Sequence, residues 1–382
     1  MSFSLYVHIP YCESKCPYCD FNSYAAKVWP ERDYTQALIA ELEWRVAQAP
    51  WAGESLKTIF FGGGTPSLFA PSSIAAIIDR AARLCGIDAD AEITLEANPG
   101  TVNAEKLAGM RSAGVNRISF GAQSFNPATL KFLGRIHGPD DTRAAARLAH
   151  RAGFERLNLD LIFAIPGQTL DDVRYDIESA AALEPDHISA YNLTFEEGTA
   201  FTADLKRGKI HACDSDQQAA MYALVREQLA ARGYPIYEIS NYAAEGHEAR
   251  HNLTYWRGES YLGLGAGAHS FAREGAGGRR WWNERGPAQY INRAIADGVA
   301  EAGSETVDGS VAAGEFVFLN LRLRSGFALA DFERRFGASF DQIFGARART
   351  MVEGSLLIRE NDRIRLSDRG LEVADSVFAE FV

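Results

Sequence analysis

The chain reads as an α/β protein: a partial (β/α)6 barrel, an extension, and a small C-terminal winged-helix-like α+β domain. Three observations predict this. Six short apolar runs alternate with amphipathic segments of helical spacing through the first two hundred residues. A polar or glycine residue falls where most of those runs stop. The last eighty residues change character, to helices followed by a hairpin-like pair of strands.

Taken in order, the strands are expected at 5–9, 58–61, 93–96, 117–121, 157–163 and 187–191. They are apolar on both faces, as parallel strands covered by helices must be. Between them, helical periodicity marks 34–46, 74–84, 105–113, 142–152 and 170–183. Six βα units in succession imply a parallel sheet that is open or curled toward a barrel. Cys12, the glycines 62–64, Glu96, Gln123 and Asp160 sit at the carboxyl ends of the runs. In a parallel sheet those ends gather at one rim, where such folds build their sites. A helix over 216–232 and a strand over 236–239 lead into a stretch rich in His, Asn, Trp, Arg and Gly, from 240 to 286. Helices at 316–321 and 329–336, strands at 356–358 and 364–366 around Glu360-Asn361-Asp362, and a helix running to 382 complete the chain. The expected units are residues 1–215, 216–300 and 301–382.

Composition narrows the function. Of 382 residues, 47% are hydrophobic and 23% charged, an ordinary globular balance. The net charge of −11 argues against a protein that grips phosphate backbones, and no nucleic-acid partner is expected. No run approaches the ~18 apolar residues that span a bilayer. The N-terminus lacks the basic and apolar regions of a signal peptide. A cytoplasmic protein is the expectation.

Three of the five cysteines, Cys12, Cys16 and Cys19, crowd into eight residues directly after the first strand. In a reducing compartment such a cluster reads as metal-binding or catalytic. Zinc and iron–sulfur clusters usually want four protein ligands, and three are supplied locally. Zinc would recruit His8 as the fourth; an iron–sulfur cubane would leave one iron open. Placement at the mouth of a barrel favours the open position, which is useful inside a site. Cys85 and Cys213 read as bystanders.

The string Tyr6-x-His8-Ile9-Pro10-Tyr11-Cys12-x3-Cys16-x2-Cys19 resembles the signature of radical S-adenosylmethionine (SAM) proteins, and more narrowly the oxygen-independent coproporphyrinogen III oxidase group. The resemblance continues through Gly62-Gly63-Gly64-Thr65-Pro66, Glu96-Ala97-Asn98-Pro99, Ser119-Phe120-Gly121-Ala122-Gln123-Ser124, Leu133-Gly134-Arg135-Ile136-His137 and Asp160-Leu161-Ile162 to Thr169. It implies a radical SAM barrel with a [4Fe–4S] cluster on the three cysteines, its fourth iron chelated by SAM. An electron from the reduced cluster then cleaves SAM to methionine and a 5′-deoxyadenosyl radical. Implied SAM-binding residues are Tyr6, Tyr18, Gly63, Gly64, Thr65, Glu96, Gln123, Arg135 and Asp160. Glycines let backbone approach the methionyl ammonium, the carboxylates suit ribose hydroxyls or the ammonium, and Arg135 offers a planar fork for a carboxylate.

Two departures separate this chain from the oxidases it resembles. They carry a further cysteine two residues past the third, where Phe21 stands here, and a substantial arm ahead of the first strand, where five residues precede Tyr6. Both speak against decarboxylation of coproporphyrinogen. The chain is instead similar to the HemW heme chaperone branch through His251-Asn252-Leu253-Thr254-Tyr255-Trp256, its HNxxYW pattern. His251 is then a candidate axial ligand to heme iron, with Tyr255 and Trp256 stacking on the porphyrin. Arg279-Arg280-Trp281-Trp282 adds cations for propionates, and His247 and His269 are rival ligands. The resemblance implies heme, heme-acceptor proteins and an electron donor for the cluster as partners. It also implies a homodimer linked to cluster loading and transient membrane contact.

Overall fold

The computed structural model describes residues 2–382. Strands β1 (Ser2–Ile9), β2 (Ser55–Gly63), β3 (Ile87–Ala97), β4 (Arg117–Gln123), β5 (Arg156–Phe163) and β6 (His187–Asn192) lie side by side in chain order, all parallel. Parallel neighbours need long crossovers. These contain helices α1 (Glu31–Val46), α2 (Pro71–Cys85), α3 (Ala104–Ser112), α4 (Pro139–Arg151) and α5 (Leu170–Ala181). The expected strands and helices are all present, mostly with ends shifted by a few residues. β3 starts earlier than its apolar run, because Ala89 and Asp90 are exposed and leave no hydrophobic signal there.

The stretch without an expected structure widens the same sheet at both edges. After α6 (Ser215–Ala230), β7 (Ile236–Glu238) and β8 (Asn241–Ala243) add to the β6 side, with β8 antiparallel to β6. The chain then crosses through α7 (Arg250–Trp256) to the other side. There β9 (Tyr261–Leu264) lies parallel to β1, with Gly263 opposite Tyr6. Strands β10 (His269–Glu274), β11 (Gly277–Asn283) and β12 (Glu301–Val307) follow antiparallel, with α8 (Pro287–Asp297) packed on α1. Because β12 belongs to the large sheet, the chain leaves that sheet after Val307 rather than at the expected residue 300.

The C-terminal unit comprises α9 (Gly309–Leu321), β13 (Phe327–Ala328), α10 (Leu329–Phe336), α11 (Phe340–Glu353), β14 (Leu357–Glu360), β15 (Arg363–Leu366), α12 (Asp368–Glu372) and α13 (Ala374–Phe378). The expected final helix is two short ones, broken at Val373, whose φ of −125° is not helical. An aromatic cluster of Phe316, Phe327, Phe332, Phe340, Phe344 and Phe381 forms its core. Burying each contributes about 2–3 kcal/mol. Tyr222, Ile236 and Ile239 of the larger unit pack against that cluster and join the two bodies.

Candidate cofactor cleft at the strand ends

The carboxyl ends of the parallel strands open into one cleft of about 910 Å³. Cys12, Cys16, Tyr18, Cys19, Gly63, Gly64, Thr65, Glu96, Gln123, Arg135 and Asp160 all line it. Eleven of the twelve expected cluster and SAM residues thus share one cleft. Tyr6 lies beneath.

The cysteine loop is pinned at its base. Tyr11–Cys12 pairs with Tyr24–Ala25, and the Tyr24 and Ala26 amides donate to the carbonyls of Pro10 and Cys12 at 2.7 and 2.9 Å. Each thiol then meets a polar neighbour. Thr65 Oγ1 donates to Cys12 Sγ at 3.5 Å, Arg135 Nη1 donates to Cys16 Sγ at 3.5 Å, and Cys19 Sγ lies 3.7 Å from Ser23 Oγ. Burial, offset by the Thr65 hydroxyl and reinforced by Cys19 and Cys16, holds the Cys12 thiol above its usual range. Among the described residues no three His, Cys, Asp or Glu side chains are gathered for a single metal ion. His8 cannot complete a zinc set: Tyr6 Oη sits 2.9 Å from its Nδ1 and the Asn22 carbonyl 2.8 Å from its Nε2. Three thiols with hydroxyl and guanidinium donors at their sulfurs, and no fourth protein ligand among the described residues, fit a [4Fe–4S] cluster with one open iron.

The triple glycine has a steric cause before any ligand arrives. A Cβ on Gly63, whose φ is +115°, would stand 2.5 Å from the His8 ring, and one on Gly64 would stand 2.6 Å from the Tyr11 carbonyl oxygen. The Gly64 and Thr65 amides donate to Ile9 and Tyr11 at 2.8 Å each, which presses the glycine turn onto the cysteine loop. That contact brings Thr65 to Cys12.

Opposite lie two carboxyl groups in the cleft wall. The Gly63 amide donates to Glu96 at 3.2 Å, while Asn158 and Ser119 donate to Asp160 at 2.7 and 3.2 Å. Burial, and then the nearby Asp160, pushes Glu96 up to about 8. Asp160 is raised by burial, against the pull of its hydrogen bonds. A cation or hydroxyl donor placed beside this pair favours its ionised form, the released proton passing to solvent. Gln123 sits at φ +65°, a strained conformation for a non-glycine residue, where the β4–β5 register slips. Strain of that kind clusters at functional sites. Arg135 bridges the Gly121 carbonyl at 2.8 Å and the Cys16 sulfur, and its Nε is buried without a partner.

The HNxxYW string does not reach the cleft. It forms α7, packed on β2. His251 is 1% exposed, with Thr58 Oγ1 and Tyr255 Oη each 2.8 Å from its two ring nitrogens and Phe60 stacked on its face. Burial, and then Lys57, lowers its pKa to about 3. In this arrangement neither nitrogen is available to iron. Trp256 lies under the Arg322 guanidinium at 4.4 Å. The expected propionate cations are also engaged: Arg279 pairs with Glu301, and Arg280 with Glu315 at 2.6 Å. Trp281 is buried in the core. Of the rival histidines, His247 pairs with Asp186 at 3.4 Å, and His269 is exposed beside Trp282.

Sequence reasoning missed several wall residues. Tyr191, at the end of β6, lines the cleft with Arg322 and with residues 371–376 of the C-terminal unit. The strand-end rule applied to the sixth strand finds Tyr191. Nothing local flags the others.

A half-sheet of six parallel strands with a three-cysteine loop over its carboxyl ends is the architecture of a radical SAM protein. Residues 6–180 match the radical SAM superfamily and 308–373 match the HemN C-terminal domain. The heme chaperone HemW of Bacillus subtilis is 36% identical over 380 residues, covering 99% of each chain. Its Mycobacterium tuberculosis counterpart (strain H37Rv) is 38% identical over 379 residues, covering 98% of this chain and 93% of that one. The solved structure of Escherichia coli coproporphyrinogen III oxidase HemN superposes with a TM-score of 0.85 at 22% identity, over 100% of this chain and 90% of that one. At that identity the likeness shows the fold. The chain belongs to the HemW family of the radical SAM superfamily. That superfamily implies a [4Fe–4S] cluster and SAM. Among the described residues no helix is long and apolar enough to cross a membrane.

Proposed function

We propose that the protein is a heme chaperone that binds a [4Fe–4S] cluster on Cys12, Cys16 and Cys19, SAM in the adjoining cleft, and heme, which it delivers to acceptor proteins. The observation that carries this reading is its end-to-end similarity to relatives named heme chaperones. The cluster and SAM parts rest on the cleft. When bound, the cluster supplies an electron for reductive cleavage of SAM. Around it, the protein's own residues orient ligands: the glycine turn holds Thr65 against Cys12, Arg135 braces Cys16, and Glu96 and Asp160 accept hydrogen bonds from the nucleoside and amino acid ends of SAM. Because His251 is locked between Thr58 and Tyr255, its role in this reading is to support Tyr6 and β2 from below, and heme is held elsewhere.

Oxidase activity is the competing reading, and Phe21 argues against it. This residue stands where the oxidases carry an additional cysteine, and it lines the cleft while 64% exposed. The deciding experiment titrates the anaerobically reconstituted protein with heme and, in parallel, supplies coproporphyrinogen III with SAM and reductant. Heme binding without protoporphyrinogen formation is expected. Protoporphyrinogen at enzymatic rates would overturn the proposal.

A further inference from the structure

Between the outer strands of the large sheet and the C-terminal unit lies a second cavity of about 710 Å³, which shares no lining residue with the cofactor cleft. Its walls carry five arginines: Arg257, Arg273, Arg334, Arg335 and Arg363. One acid lines it, Asp331, and that carboxylate is already taken by Arg334 at 2.8 Å. The others lack a carboxylate within ion-pair distance among the described residues. Arg363 donates to the Ser325 and Gly326 carbonyls, and Arg335 donates to the Ala276 carbonyl at 2.9 Å while lying over the Phe316 ring at 5.5 Å.

This is unusual for its surroundings. Arg279, Arg280 and Arg293, on or near the same outer strands, are each matched by a glutamate, and the whole chain carries a net charge of −11. Burial, and then Arg273, holds the Arg335 guanidinium down to about 10, with Glu315 only partly offsetting them. A half-buried cation beside a like charge is unfavourable unless an anion joins it. Arginine forks suit carboxylates in particular. The floor is Phe316, Leu323 and Phe327, and the aliphatic stems of the arginines extend that apolar surface. The HNxxYW helix ends at its lip. Arg257 follows α7 directly, and an Arg335 nitrogen lies 3.2 Å from where a Cβ on Gly258 would stand.

We infer that this groove binds a dicarboxylate tetrapyrrole through its two carboxylates. The inference rests on the heme-carrier reading and locates the carried group. None of the lining residues is His, Cys, Met or Tyr, so recognition falls on the carboxylates and the apolar ring, not on the metal. Metal-free protoporphyrin IX therefore binds here as heme does, and its dimethyl ester does not.

The test uses the full-length, cluster-loaded protein and the double variant Arg273→Glu/Arg363→Glu, both exposed positions, with Arg273→Gln/Arg363→Gln as a milder pair and unfolding curves to show that each variant is folded. Each is titrated with heme, protoporphyrin IX and protoporphyrin IX dimethyl ester at low and high salt. The parent should bind the two free acids with affinities within a few-fold of each other and the ester at least tenfold more weakly. The double variant should lose at least tenfold for both acids, and added salt should weaken the parent more than the variant. Unchanged heme affinity in the variant, or a parent that takes heme but not the metal-free acid, overturns the groove and leaves the chaperone reading standing. A parent that binds no heme overturns both.

Discussion

Replacing Glu96 with glutamine should stabilise the protein at alkaline pH and leave it unchanged at acid pH. Burial, followed by the Asp160 charge, moves this carboxyl from 4.5 to about 8, against the Gly63 amide. Between those values the folded chain holds a proton that the unfolded chain has released, so stability falls as pH rises through the window. At about 1.4 kcal/mol per pKa unit the ceiling is about 5 kcal/mol above pH 8. The carboxyl also faces the open cleft, where water screens it, so about 2 kcal/mol is expected. Glutamine keeps an acceptor for the Gly63 amide, now 3.2 Å from Oε2, and carries no charge to desolvate. Urea unfolding of both proteins before cluster loading, at pH 5, 6.5 and 8, reads the difference directly. It should grow from near zero to about 2 kcal/mol. A difference that does not change with pH refutes the argument that Glu96 ionises against its surroundings.

Three further outcomes follow from the same geometry. Cys16→Ser should abolish the brown cluster absorbance after anaerobic reconstitution while leaving heme affinity intact, as two separate sites require. Asp160→Asn should keep the cluster absorbance but weaken SAM binding about tenfold by calorimetry, the scale of one hydrogen bond to a charged acceptor. His251→Ala, which strands the buried Thr58 and Tyr255 hydroxyls, should cost about 2–4 kcal/mol by denaturation. The milder His251→Gln should leave the heme Soret band unshifted, and a displaced band would return His251 to iron.

Much of this site was legible because parallel strands impose a rule. Cys12, Gly63, Glu96, Gln123 and Asp160 are spread over about 500 Å of extended chain, yet each lies in or just after the last half of a parallel strand, and those ends share a rim. The apolar runs carried the strands themselves, since burial on both faces leaves a continuous hydrophobic signal. Where burial is one-sided or tertiary, the signal fades. β10 to β12 mix arginines and glutamates with tryptophans because they pair at a sheet margin, and composition alone made that stretch look like a ligand site. The surroundings of His251 were hidden for the same reason: its string is distinctive, but its partner Thr58 comes from a distant strand. Helix α11 had a readable start, the reciprocal Ser339 and Gln342 cap, which periodicity in a glycine- and arginine-containing segment obscured. Residues 371–376 reach the cleft only through the docking of the C-terminal unit, which no local pattern encodes.

Heme transfer tests the central claim most directly. Cluster-loaded protein carrying one equivalent of heme is mixed with the heme-free form of a heme protein of distinct Soret maximum, and the spectrum is followed in time. The proposal predicts that the acceptor's holo spectrum grows as the donor's declines, at a rate set by donor concentration. An acceptor that stays empty while the donor keeps its heme, or a donor that never takes heme up, would contradict it.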